Sequence, residues 1–194
     1  MVPAILTAAK QEPASLTAII VLALSSSVVG GALGHVLTGL RASAASRRDH
    51  YAAAVKILVT RIEYPYRIRR RTSDAPDALD ALVCAGHDLQ ERLMEIRAWI
   101  TTESPPLGEV FTQCLTSLDG PFKQACNEAW NAAPVTAAAQ MNLGAFGAGD
   151  QQDVVTTMER ALIYRFGYRR LLPAVVLRWR LRKHGLLRQA TART

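Results

Sequence analysis

No acidic residue follows Glu159, and no Asp, Glu, Lys or Arg occurs between Ser15 and Leu40. The first absence leaves ten Arg/Lys in residues 160–194 without a local counter-ion, and the second leaves a stretch with little to hold it in water. Cysteine is sparse as well: Cys84, Cys114 and Cys126 are all that the 194 residues contain. An odd count in a chain with ample apolar residues is not a disulfide framework; it fits free, mostly buried thiols in a reducing compartment. Lysine supplies only Lys10, Lys56, Lys123 and Lys183 of 23 basic residues. Arginine and alanine dominate together, as in GC-rich coding, so arginine number alone says little about role.

Motifs of catalysis are missing too. There is no GxSxG, no GxxxxGK[ST] and no GxGxxG, and the glycines of residues 143–149 lack the strand and helix that a nucleotide loop requires. The histidines His35, His50, His87 and His184 are scattered. Cys84 and His87 stand one helical turn apart, but no second pair or ExxH motif completes a metal set. Asp88, Glu91 and Glu95 share a helix face, with Arg92 placed to pair with Asp88, which is the pattern of a solvated acidic face. The sequence therefore leads to no catalytic residue, no metal and no cofactor, and to a chain that is not an enzyme.

What is present is a strong segregation of charge. Residues 41–71 hold nine Arg/Lys against Asp49 and Glu63; residues 72–159 hold thirteen acids against Arg92, Arg97 and Lys123. Two basic arms thus flank an acidic middle, and the net charge of +7 describes none of the three. Ahead of them lies the uncharged run, in which residues 16–24 read LTAIIVLAL. A helix needs about 20 residues at about 1.5 Å each to cross the hydrocarbon core. Residues 14–40 are accordingly expected as a transmembrane helix after a short extracytoplasmic segment, 1–13. Ala32 and Gly34 imitate a signal-peptidase site, so cleavage is the alternative. Arg41, Arg47, Arg48 and Lys56 outweigh Lys10, which places the N-terminus outside and the bulk of the chain in the cytoplasm, on the inner membrane. Ser26, Gly30, Gly34 and Thr38 repeat every four residues and include a literal GxxxG, a pattern for close packing of two membrane helices.

The remainder reads as helix. Tyr51, Val55, Leu58 and Ile62 step by four and three, up to a break expected at Tyr64–Pro65–Tyr66. Leu79, Leu82, Gly86, Leu89, Leu93, Ile96 and Ile100 follow a strict 3-4-3-4 spacing, the clearest periodicity in the chain. Thr72 or Ser73 can cap that helix, and Asp74, Asp77 and Asp80 suit its positive end. A helix restarts near Pro105 or Pro106, with Leu107, Phe111, Cys114 and Leu118 in step and a kink or turn expected at Asp119–Gly120–Pro121. No stretch alternates at period two. The fold class expected is all-α: the anchor, an antiparallel three- or four-helix bundle over 41–131, an Ala/Gly-rich linker over 132–152, and a basic, aromatic C-terminal helix or arm over 153–194. That last helix is expected to begin near Asp150 or Asp153 and to be broken by Pro173.

Function, on this reading, lies in the arms. Arg67, Arg69, Arg70 and Arg71 follow Tyr64 and Tyr66; Arg169, Arg170, Arg178, Trp179, Arg180, Arg182 and Lys183 stand among Tyr164, Phe166 and Tyr168. Rings and cations together suit the headgroup zone of an anionic membrane, where each cation contributes about 1 kcal/mol. The same mixture suits phosphate contact and base stacking in nucleic acid. A tethered chain meets anionic lipid first, so the expectation is a membrane-anchored helical scaffold or docking module. Its partners would be anionic lipid and a protein or second copy, with a membrane-tethered nucleic-acid binder as the alternative. The segment RRDHY at 47–51, just after an apolar run, resembles a feature of uncharacterised actinobacterial and actinophage single-span membrane proteins. The resemblance implies an anchored chain and no activity.

Overall fold

The computed structural model describes residues 27–144, 146 and 148–188, and the chain divides between Arg47 and Arg48 into two units. Its helices are α1 (Ser27–Arg69), α2 (Pro76–Glu103), α3 (Pro105–Asn131), α4 (Ala148–Leu162) and α5 (Ala174–Lys183), with 3-10 turns at Ala138–Gln140, Ile163–Arg165 and Gly167–Leu171. No strand occurs among the described residues. The all-helical class expected from the sequence is what the structure shows, with α2, α3, α4 and α5 packed on one another.

The membrane span has no such support. Residues 14–26, and with them Ser26, lie outside the described residues, and among those that are described no helix is long and apolar enough to cross a membrane. The expected boundary at Leu40–Arg41 is not a helix boundary, because α1 continues through it for 43 residues. A change from apolar to charged side chains alters the environment a helix prefers, and it leaves the backbone hydrogen bonds untouched. Pro65 and Pro121 also stand inside helices, α1 and α3, where turns were expected. A proline in a helix interior costs about 3 kcal/mol; here Pro65 is fully buried and packing holds the helix through it.

In the second unit the later part of the 3-4 stripe of α2, Leu89, Leu93, Ile96 and Ile100, is buried, while Leu79 and Leu82 at its start are only half-buried. Gly86, on the same stripe, leaves a gap that the Tyr64 phenol enters. A Cβ there would lie 2.4 Å from the Tyr64 oxygen, which donates a hydrogen bond to the Leu82 carbonyl. One extended residue, Ser104, separates α2 from α3, and Pro105 opens α3, where a missing N–H costs nothing. Further along, α3 buries Leu107, Val110, Phe111, Cys114, Leu115 and Leu118. Across from it α4 contributes Met158, Ala161 and Leu162 to the same core. The order of contacts shows that neighbours run oppositely. Tyr64 meets Gly86 while His50 stacks on Trp99, and Cys114 meets Val154 while Glu103 meets Arg165.

Between α3 and α4 the Ala/Gly-rich segment is seated on the bundle. Val135, Leu143 and Phe146 are buried, Val135 N–H donates to the Arg71 carbonyl, and the Tyr66 hydroxyl donates to the Phe146 carbonyl. Helix α4 then begins at Ala148 rather than at Asp150 or Asp153. It ends at Leu162, before the proline that was expected to stop it.

Candidate functional site

Among the described residues, three long-range ion pairs join the basic blocks to the acidic one: Arg61–Asp119, Arg165–Glu103 and Arg178–Glu109. They decide which arginines belong to the fold and which face outward. In the first arm, Arg71 is buried. Its Nε donates to Asp74 at 2.6 Å, and its two terminal nitrogens donate to the carbonyls of Ile68, Ala129, Trp130 and Ala132. Its guanidinium also lies 5.7 Å from the Trp130 ring centre. Arg69 donates to the Ala133 carbonyl at 3.0 Å. Arg70 lies over Tyr66, and Arg67 is exposed on the groove between α1 and α2. Of the four arginines read as one contact patch, Arg69 and Arg71 therefore serve the chain itself.

The C-terminal arm is built differently. Phe166 is extended, which stops the 3-10 turn of 163–165, and Pro173 stands at the N-cap of α5. Helix α5 buries Leu177 and Leu181 against the bundle. It closes on Gly185, whose φ of +68° favours glycine. Leu186 N–H donates to the Leu181 carbonyl at 2.9 Å and Gly185 N–H to the Arg182 carbonyl at 3.0 Å, a Schellman closure with Leu186 packed beneath it. Arg165 bridges the arm to the bundle through Glu103, the Tyr51 hydroxyl and the Arg170 carbonyl. Arg178 grips both oxygens of Glu109, and that carboxylate holds the guanidinium's proton affinity above its ordinary level.

With Leu177, Leu181, Arg165 and Arg178 fixed inward, the opposite face of the arm is left to solvent. On α5 Val175 is 75% exposed and Trp179 59%, one helical turn apart, and Leu171, which ends the 3-10 turn before the extended Leu172–Pro173 link, is 84% exposed. Lys183 lies 5.2 Å from the Trp179 ring centre, and Arg170 and Arg182 are exposed in the same arm. Arg180 is half-buried, and Arg169 lies over Tyr164. The sequence marked Trp179 and the cations; it did not mark Leu171 and Val175. The step of four from Val175 to Trp179 on α5 was the signal for Val175, whereas Leu171, which stands before that helix, had none.

The remaining candidates are placed as follows. Gly30 and Gly34 fall within α1, and Thr38 on the same helix is exposed. Cys84 and His87 are both exposed, and no group of three metal-ligating side chains occurs among the described residues. Asp88, Glu91 and Glu95 are exposed on α2.

The thiols differ by burial. Burial pushes Cys114 up to about 12, and it pushes Cys126 up to about 11 against the opposing charge of Arg61. Both stay protonated at neutral pH, whereas Cys84 is exposed. At a pH of about 8, alkylation of the native chain is expected to modify Cys84 alone, the other two reacting only after denaturation, as peptide mass mapping would read. Below the ordinary thiol value of 9.0 the raised values add nothing that changes with pH. Above it the unfolded chain gives up these protons first, so stability falls as pH rises from 9 toward 12.

Together the fold and this surface define an all-helical protein with a partly apolar, cationic outer face. Comparison with protein-family models, with curated proteins and with solved structures finds no match.

Proposed function

We propose that this chain is a non-catalytic helical docking module that lies on an anionic membrane surface through its C-terminal arm. The observation that carries the reading is the exposed apolar pair Val175 and Trp179 on α5, with Lys183 over the Trp179 ring and with Leu171, Arg170 and Arg182 exposed in the same arm. An isolated apolar pair would suit another protein, but cations in the same arm with no carboxylate among them suit lipid phosphate. Cations at about 1 kcal/mol each and three apolar side chains entering the interface give on the order of 8 kcal/mol, a micromolar association. The arm would lie flat, since Arg165, Arg169 and Arg170 make true spanning costly.

In the same proposal the uncharged run before Arg41 tethers the chain to the inner membrane with its N-terminus outside, and Gly30 and Gly34 allow a second copy to pack there. The exposed acids of α2 would then recruit a protein partner on the cytoplasmic side. The competing reading, a tethered nucleic-acid binder, draws on Arg67–Arg71 as one patch, and two of those four arginines are engaged with backbone carbonyls.

Flotation of the full chain with vesicles tests the proposal. Binding to phosphatidylglycerol-containing vesicles should exceed binding to pure phosphatidylcholine at least about tenfold and weaken with salt. Equal recovery with both lipids, or binding to duplex DNA or RNA at physiological salt with none to vesicles, would overturn it.

A further inference from the structure

We infer that the arm also carries a phosphate-monoester pocket, formed where the end of α4 meets the turn after α5. A pocket of about 290 Å³ there is lined by Arg160, Ile163, Tyr164, Arg169, His184 and Leu186. Two arginines, a histidine and a tyrosine line it, and no acidic residue does. Arginines elsewhere in the arm that turn toward the protein have found one: Arg165 has Glu103 and Arg178 has Glu109. Among the described residues Arg160 and Arg169 have no ion pair. The Arg169 guanidinium lies 5.7 Å from the Tyr164 ring centre, and that ring in turn lies 6.0 Å from His184. Stacking of this kind holds a guanidinium flat and leaves its N–H edge free to donate.

The ligand chemistry follows from the lining. Each arginine offers a fork of donors that fits two phosphate oxygens, and the imidazole N–H and the tyrosine hydroxyl add single donors. A monoester, with three free oxygens and a charge near −2, uses this set more fully than a diester. Ile163 and Leu186 leave an apolar side against which a short carbon body rests. Such a monoester could be the headgroup of a lipid or a free metabolite. The lipid source rests on the membrane reading above, whereas the phosphate chemistry of the pocket does not.

The test uses the full chain, with phosphatidic acid and phosphatidylglycerol vesicles at matched surface charge and with soluble glycerol 3-phosphate. Arg160→Gln/Arg169→Gln removes the pocket's forks, and Arg92→Gln/Arg97→Gln removes the same charge from exposed positions on α2. The expected result is phosphatidic acid bound about tenfold more tightly than phosphatidylglycerol, a difference of about 1.4 kcal/mol. That preference should be absent in the Arg160/Arg169 variant and kept in the Arg92/Arg97 variant. Glycerol 3-phosphate binding without a vesicle preference would support the pocket and assign it to a free monoester. If glycerol 3-phosphate binds but no vesicle does, the membrane reading fails while the pocket stands. No monoester binding in either form, or a preference that survives in the Arg160/Arg169 variant, overturns the inference. Arg160 is exposed and Arg169 only half-buried, and circular dichroism of each variant confirms that the fold is intact.

Discussion

Alanine at Arg71 is expected to cost about 3 kcal/mol of stability, more than any other single change in the basic arms. The side chain is only 6% exposed, and its donors are shared among Asp74 and four backbone carbonyls. Three of those carbonyls, of Ala129, Trp130 and Ala132, lie at the C-terminus of α3, which has no basic residue in its own last turn. A helix end leaves carbonyls without intrahelical partners and carries a partial negative charge, so it needs donors and favours a cation. Arg71 reaches over from the end of α1 and supplies both. Removing it leaves those oxygens turned to a space that water reaches poorly. Lysine would keep the charge and lose the planar fork, so Arg71→Lys should recover only about 1 kcal/mol of the loss. Arg70→Ala, at an exposed residue resting on Tyr66, should stay within about 0.5 kcal/mol of the unaltered chain. Urea unfolding followed by circular dichroism reads all three. Equal midpoints for the Arg71 and Arg70 variants would show that the fork contributes nothing to holding α1 on α3. Any loss of binding in an Arg71 variant would have to be read as loss of fold.

How much of this was legible in the sequence depends on what each element asks of its neighbours. The α2 stripe was readable because one face of one helix carries the core, and Leu89, Leu93, Ile96 and Ile100 repeat at helical spacing. The prolines misled because Pro65 and Pro121 are local signals, and the packing that carries each helix through them comes from residues distant in sequence, such as Phe122 against Tyr64. The segment after α3 was hard to read for the opposite reason. Val135, Leu143 and Phe146 fill the core without any period, so only their partners reveal them.

Charge lies between these cases. The basic–acidic–basic blocks were plain, and among the described residues each long-range ion pair joins a basic block to the acidic one. Which arginine pairs was not plain. Arg178 and Arg182 sit one turn apart on α5, yet only Arg178 comes within reach of Glu109. The separation of inward from outward cations is a property of the packed arm, and the same packing leaves the apolar pair exposed.

Val175→Ser/Trp179→Ser should reduce binding to anionic vesicles about a hundredfold while leaving the fold intact. The two side chains are 75% and 59% exposed in the folded chain, so their removal creates no cavity and should shift stability by less than about 0.5 kcal/mol. On a membrane they would enter the headgroup and upper acyl region, where each fully buried apolar side chain contributes about 1.5–3 kcal/mol. A loss of about 3 kcal/mol, half or more of that sum, corresponds to the hundredfold change. Arg182→Glu/Lys183→Glu should also weaken binding, but through charge, and so with an effect that shrinks as salt rises; the serine variant should keep its deficit at every salt concentration. Leu177→Ser or Leu181→Ser gives the opposite pattern, since both are buried in the core and their loss unfolds the arm. Tryptophan emission supplies a second readout. Trp99 and Trp130 are partly buried in the bundle, so a blue shift on adding vesicles should come from Trp179 and vanish with it. Unchanged binding in the serine variant, together with a blue shift that persists, would place the contact elsewhere on the chain. A deficit independent of salt would fix the apolar pair, rather than net charge, as what holds the arm on the membrane.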